Sequence, residues 1–358
     1  MKFISQGTYG CVYSSNTNNT NSTKKKQDNQ TVSKIQIMRN NDNKETFLGK
    51  KIQTIFQYES FFAPILETYP IDIGRIEKKE QNKCQIFQLG TKQYITSKIR
   101  YVGKNTIDYC ISNIKIHIKK RNTLFESHLH ILNGIQKLLS LEDPIVHNDL
   151  KYNNILMDKI YDIPIIIDFG LSFTQKDLQE TLLHSQKMKL LFFSYKPYLP
   201  WNIEFTLLSF LAKNIILNPI NHINIHIDKV EKHLPLLSKV IDSFVNTNFT
   251  FIENNKYEYE KNNFIHKMEL YIQLFRNKTL KELFHDLFNN WKSWDNYSLA
   301  IMFYEITIKN FSNKKDSYID SYKQLLLTII FTTPDTKRST PMETYQSILT
   351  LCQFHLSS

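Results

Sequence analysis

Between positions 147 and 170 the chain reads His147-Asn148-Asp149-Leu150-Lys151-Tyr152-Asn153-Asn154, then the apolar run Ile165-Ile166-Ile167, then Asp168-Phe169-Gly170. Taken singly, each Asp or Asn here is an ordinary turn residue, because its short polar side chain readily bonds nearby backbone. Taken together, they gather two carboxylates, a carboxamide and an ammonium in one short stretch. Carboxylate and carboxamide oxygens suit a hard cation such as Mg²⁺. Near the N-terminus, Ser5-Gln6-Gly7-Thr8-Tyr9-Gly10-Cys11-Val12 precedes Val32-Ser33-Lys34-Ile35. Glycines at such a turn let backbone N–H groups approach a bound group closely. A lone Gly-x-x-Gly reads more readily as an ordinary hairpin turn; its place before a lysine-bearing strand reverses that preference.

These groups need elements to position them. Ile4 to Tyr13 reads as a short strand segment, and Thr31 to Ile37 has the apolar/polar alternation of a half-buried strand. Between them, residues 14–30 are polar and low in complexity, and read as a disordered surface loop. Apolar residues at helical spacing predict an amphipathic helix from Lys44 to Phe56 and another from Leu124 to Leu139. Cys84 to Leu89 and Tyr94 to Val102 read as strands. Beyond residue 204 helical patterns dominate to the C-terminus. The shift predicts a small β-rich part followed by a larger helical part.

The 147–170 pattern resembles the catalytic loop and metal-binding motif of eukaryotic-type protein kinases. The resemblance implies that Asp149 orients the substrate hydroxyl and accepts its proton, and that Asn154 and Asp168 hold Mg²⁺. Lys151 resembles the lysine of serine/threonine kinases that contacts the transferred phosphoryl group and offsets developing charge. Gly7, Thr8, Tyr9, Gly10 and Val12 look like the glycine-rich loop over ATP, with Ser5 where its first glycine would stand. Lys34 resembles the strand lysine that contacts the α- and β-phosphates. Its carboxylate partner is assigned to Glu45, with Glu59 as the alternative. Pro200-Trp201-Asn202-Ile203-Glu204 and Pro334 to Thr340 resemble the segments whose Glu204 and Arg338 form a buried ion pair. Asp295 looks like the carboxylate that holds the catalytic-loop backbone.

The implied fold is α+β and two-lobed, with an N-lobe at 1–102, a C-lobe at 103–358, a hinge near Tyr101-Val102-Gly103, and ATP with Mg²⁺ between the lobes. The implied activity is phosphorylation of serine or threonine hydroxyls on protein substrates. Two alternatives stand beside it: a choline- or aminoglycoside-type small-molecule kinase, since His-Asn-Asp-Leu occurs there too, and a pseudokinase scaffold. Asn148 stands where regulated kinases carry arginine, which implies activity without loop phosphorylation. Thr174, Thr181, Ser185 and Ser194 are modifiable residues of that segment. Ninety residues separate Glu204 from Asp295, and the 205–290 stretch reads as a helical insertion. With the Asn/Lys/Ile-rich composition, it resembles kinases of large nucleocytoplasmic DNA viruses, which implies host cytoplasm or the virion.

Composition bounds these readings. Hydrophobic residues make up 41% and charged residues 22% of 358, as in folded domains. The net charge of +11 is spread along the chain, which permits acidic substrates but does not support nucleic-acid binding. No apolar run approaches the ~20 residues of a membrane span, so an intracellular protein is expected. Cys11, Cys84, Cys110 and Cys352 form no Cys-x-x-Cys pair, so reduced thiols are expected.

Overall fold

The computed structural model describes residues 1–7, 10–14, 31–38, 43–88, 92–181, 184–192, 198–217, 225–252, 257–312 and 315–353. Thr8 and Tyr9 of the glycine pattern and residues 15–30 of the expected loop lie outside them. The chain forms two compact units. One comprises Met1–Asn105 together with Leu156–Gly170; the other comprises Thr106–Ile155 together with Leu171–Ser358.

In chain order the elements are β1 (Lys2–Gln6), β2 (Gly10–Ser14), β3 (Thr31–Ile37), α1 (Asn43–Gln53), β4 (Phe62–Ala63), β5 (Ile65–Ile71), α2 (Lys78–Gln81) and β6 (Tyr94–Arg100). There follow α3 (Ile107–Asn113), α4 (His117–Leu139), β7 (Ile145–Val146), β8 (Ile155–Met157), β9 (Pro164–Ile167), β10 (Phe173–Thr174), α5 (Gln175–Glu180) and α6 (Ser185–Leu191). The rest is helical: α7 (Ile203–Phe210), α8 (Leu234–Asn248), α9 (Glu258–Leu274), α10 (Leu280–Phe288), α11 (Trp294–Phe311), α12 (Ser317–Ile330) and α13 (Pro341–Gln353). The architecture is mixed α+β, with an N-terminal sheet and a larger helical part.

The first unit is built on an antiparallel sheet of order β1-β2-β3-β6-β5. Its core gathers Cys11, Tyr13, Ile35, Ile76, Cys84, Ile86 and Tyr94. Two sequence expectations fail here. Cys11 and Cys84 are not separate thiols: they form a disulfide across 73 positions, with Cα atoms 6.1 Å apart. Strand alternation turns Cys11 into the same buried cluster that receives Cys84, a proximity that sequence spacing does not reveal. Gln85–Gln88 is a 3₁₀ turn rather than a strand; the hydroxyl of Tyr94 donates to the carbonyl of Ile86, and Leu89 lies outside the described residues. A smaller sheet, β4-β9-β8, pairs β4 with β9 in parallel. It ends at Asp168, and Phe169 packs edge-on against Phe62 at 6.1 Å.

In the second unit, α4 and α12 pack against the long central helix α11, and β7 pairs with β10 beside them. The 205–290 stretch forms α7 through α10, with a π-helical turn at Leu211–Ile216. Among the described residues no helix is long and apolar enough to cross a membrane.

Where α4, α11 and α12 meet, His128 is fully buried. Its ring stacks on Phe303 with centroids 4.0 Å apart, and Nδ1 lies 2.7 Å from the Tyr322 hydroxyl. Burial pushes its pKa down to about 3, whereas an unfolded histidine titrates near 6.5. Between those values the unfolded chain binds a proton that the folded chain does not, so stability falls as pH falls through that window. Acidification from pH 8 to pH 5 is expected to remove about 2 kcal/mol through this residue. Urea unfolding across pH should show the slope in the parent and a shallower slope in His128→Gln, whatever the variant's absolute stability.

Candidate active site

The loop that follows β7 is fixed through its backbone. Asp295, in the first turn of α11, is buried and accepts the N–H groups of His147 at 2.7 Å and Asn148 at 2.8 Å. Burial pushes its carboxyl pKa up, while His147 and the two N–H groups act in the opposite direction and favour its charge. Asn148 has φ of 61°, left-handed backbone that Asn tolerates far better than branched residues do. Its carbonyl accepts the indole N–H of Trp201 at 2.9 Å, and the His147 carbonyl accepts the Ser172 hydroxyl at 3.0 Å. Three distant parts of the chain therefore hold the two residues before Asp149.

The Asp149 carboxylate is the hub of a side-chain cluster. Lys151 Nζ lies 3.0 Å from both of its oxygens. The Asn154 amide nitrogen donates to Asp149 Oδ2 at 2.8 Å and to its carbonyl at 2.9 Å. With its NH₂ spent on Asp149, Asn154 has its carboxamide oxygen to offer a cation. The Tyr198 hydroxyl donates to Asp149 Oδ1 at 2.9 Å and accepts from Lys151 at 2.6 Å. Burial works against the Lys151 charge, but Tyr198 and Asp149 outweigh it and hold its pKa above the ordinary lysine value.

In the first unit, Lys34 sits mid-sheet, opposite Val12 of β2 and Ser97 of β6. Its ammonium lies 3.3 Å and 3.5 Å from the two oxygens of Glu45 and 3.0 Å from Asp168 Oδ1. Burial opposes the charge, yet the two carboxylates win and hold the pKa above the lysine norm. Glu45 reaches Lys34 because α1 lies tight on β5: a Cβ on Gly49 would run into the carbonyl of Ile65. The alternative, Glu59, has its backbone carbonyl bound by Arg100 at 2.6 Å. Asp168 has φ of 61°, a strained conformation for an Asp, and its side chain is 45% exposed. Gly7 N–H donates to the Gly10 carbonyl at 2.8 Å. Gly10 must be glycine, because a Cβ there would strike the carbonyl of Ile35.

The sequence-assigned residues thus fall into two groups, Asp149 with Lys151 and Asn154, and Lys34 with Glu45 and Asp168. Away from them, Glu204 and Arg338 form a buried pair with contacts of 2.8 and 3.1 Å. Tyr198, the Trp201 indole and Asn248 were missed. Asn248 closes α8 and donates to the Trp201 carbonyl at 3.0 Å, so the 205–290 helices brace the segment that touches the loop. No local pattern marks these residues; their partners are 47 to 53 positions away. Of the modifiable residues, Thr174 caps α5 and Thr181 is buried against the carbonyl of Leu178. Ser194 and the side chain of Ser185 lie outside the described residues.

No protein-family model matches the chain. Among curated proteins it is similar over short stretches to several from Dictyostelium discoideum. It is 37% identical over 92 residues to the probable inactive serine/threonine-protein kinase samkD, covering 26% of this chain and 15% of that protein. It is 55% identical over 47 residues to the probable serine/threonine-protein kinase samkA, covering 13% and 7%, and 42% identical over 79 residues to samkB, covering 20% and 13%. These distant similarities support a kinase-like protein. The matched stretches span only a small part of those relatives, whose remaining length has no counterpart in the matches. The mixed α+β architecture is compatible with a kinase-like fold.

The Lys34–Glu45 pair of this kinase-like chain depends on the close approach of α1 to β5. Gly49→Val is expected to push the helix off the strand and open the pair, at a cost of about 1–3 kcal/mol from overpacking. Chemical denaturation would measure the loss, and a crystal structure of the variant should show Glu45 out of reach of Lys34.

Proposed function

We propose that the chain is an ATP-dependent protein kinase that transfers the γ-phosphoryl group to serine or threonine hydroxyls of protein substrates. The observation that carries this reading is the Asp149 cluster. A hydroxyl, that of Tyr198, already rests 2.9 Å from Asp149 and 2.6 Å from Lys151, within the reach that general base catalysis requires. An acceptor hydroxyl in that position would give its proton to Asp149 as its oxygen bonds the γ-phosphorus and the bond to ADP breaks. Lys151 would offset the charge that gathers on the transferred group. Lys34, held by Glu45, is the cation for the nucleotide phosphates.

The donor chemistry fits Mg²⁺. Asp168 and the Asn154 carboxamide each offer oxygen, the element this hard ion prefers. Among the described residues no group of three or more His, Cys, Asp or Glu side chains could hold a metal alone. That suits an ion whose usual protein site is one or two carboxylates completed by nucleotide phosphates. When bound, it neutralises charge on those phosphates. A second reading, a nucleotide-binding scaffold without turnover, is favoured by one relative's description as probable inactive.

The test is incubation of the purified chain with γ-labelled ATP, Mg²⁺ and generic protein substrates, beside Asp149→Ala and Asp168→Ala. Phosphoserine or phosphothreonine from the parent is expected, with the rate falling about 10²–10⁴-fold once the base is removed. Nucleotide-induced thermal stabilisation with no transfer would instead select the scaffold.

A further inference from the structure

Tyr198 belongs to none of the roles assigned above, yet among the described residues its hydroxyl bonds Asp149 and Lys151, two groups that the proposed reaction uses. We propose that Tyr198 is itself a phosphoryl acceptor of this site, modified in cis on its phenolic oxygen. The inference rests on the protein-kinase reading and extends it to an acceptor within the chain.

The phenol is oriented for the reaction. Its O–H donates to Asp149 Oδ1 at 2.9 Å, and its oxygen accepts from Lys151 Nζ at 2.6 Å. The proton therefore points at the group that would take it, and a cation lies at the oxygen on which charge would appear. The ring is fixed as well. It stands edge-on to Trp201 with centroids 5.1 Å apart, and Lys151 Nζ lies 5.3 Å from its centre. Burial, partly offset by Lys151, raises the phenol's pKa, so the oxygen still carries its proton at neutral pH. Because the acceptor is tethered, its oxygen meets the base without a bimolecular encounter.

The step balances with ATP as donor. The Tyr198 oxygen bonds the γ-phosphorus, the bond from that phosphorus to the ADP oxygen breaks, and the phenolic proton passes to Asp149. The product carries a charge of about −1.5 to −2 beside the Asp149 carboxylate.

The chain, purified without phosphate, would be incubated with Mg²⁺ and ATP and followed by intact mass and peptide sequencing. One phosphate on Tyr198 is expected, gained at a rate that does not change on dilution of the protein. It should be lost in Asp149→Ala and absent from Tyr198→Phe, with circular dichroism confirming that both are folded. Mixing Tyr198→Phe with Asp149→Ala should leave Tyr198 of the latter unmodified; phosphate there would overturn transfer in cis. Labelled serine or threonine on an added substrate, with Tyr198 of the parent unmodified, would overturn the inference and leave the protein-kinase reading standing. No transfer to any acceptor would overturn both.

Discussion

The Asp295 carboxylate is the constraint on which the candidate site depends. Its two oxygens take the consecutive N–H groups of His147 and Asn148, which have no place in a strand ladder because the backbone turns left-handed at Asn148. Each such N–H, buried and unpaired, would cost about 1–3 kcal/mol. Pairing both with one side chain on a long buried helix converts a turn that would otherwise waver into a rigid mount. The Trp201 and Ser172 bonds close the same backbone on its carbonyl side. Asp149, the next residue, is thereby held on a fixed backbone.

The two charged clusters differ in balance. Lys34 has two carboxylates for one ammonium. Lys151 has one carboxylate and shares it with a neutral phenol and a neutral amide. An anionic phosphoryl group approaching Lys34 must compete with Asp168 for the ammonium.

Much of this was legible because it is local. The spacing of Asp149, Lys151 and Asn154 sets their mutual reach within one loop, and helical periodicity put Glu45 on the helix after the Lys34 strand. The clustering of those residues and the mixed architecture could be read before any coordinates. What escaped is long-range or disguised. Strand β5 was missed because Glu67, Thr68 and Pro70 break the apolar pattern; as an edge strand of its sheet it tolerates a proline that an interior strand would not. The Cys11–Cys84 bridge depends on how two distant segments pack. Tyr198 and Asn248 depend on the course of the chain between residues 198 and 248, for which composition offers only helix and loop. The kinase resemblance supplied Asp295 and Arg338; it had nothing to say of a phenol at Asp149.

The return of Leu156–Gly170 to the first unit bears on the ancestry and modularity of the chain. The polypeptide passes from one unit to the other at three places, after Asn105, Ile155 and Gly170. No single cut yields two self-sufficient pieces, and no simple end-to-end fusion of two ancestral genes gives this arrangement. A recombination event that exchanged the N-terminal sheet alone would leave behind β9 and Asp168, the carboxylate that binds the sheet's own lysine. Inheritance must therefore carry the two units together, and a chimera builder who treats them as beads on a string would separate Lys34 from one of its two counterions.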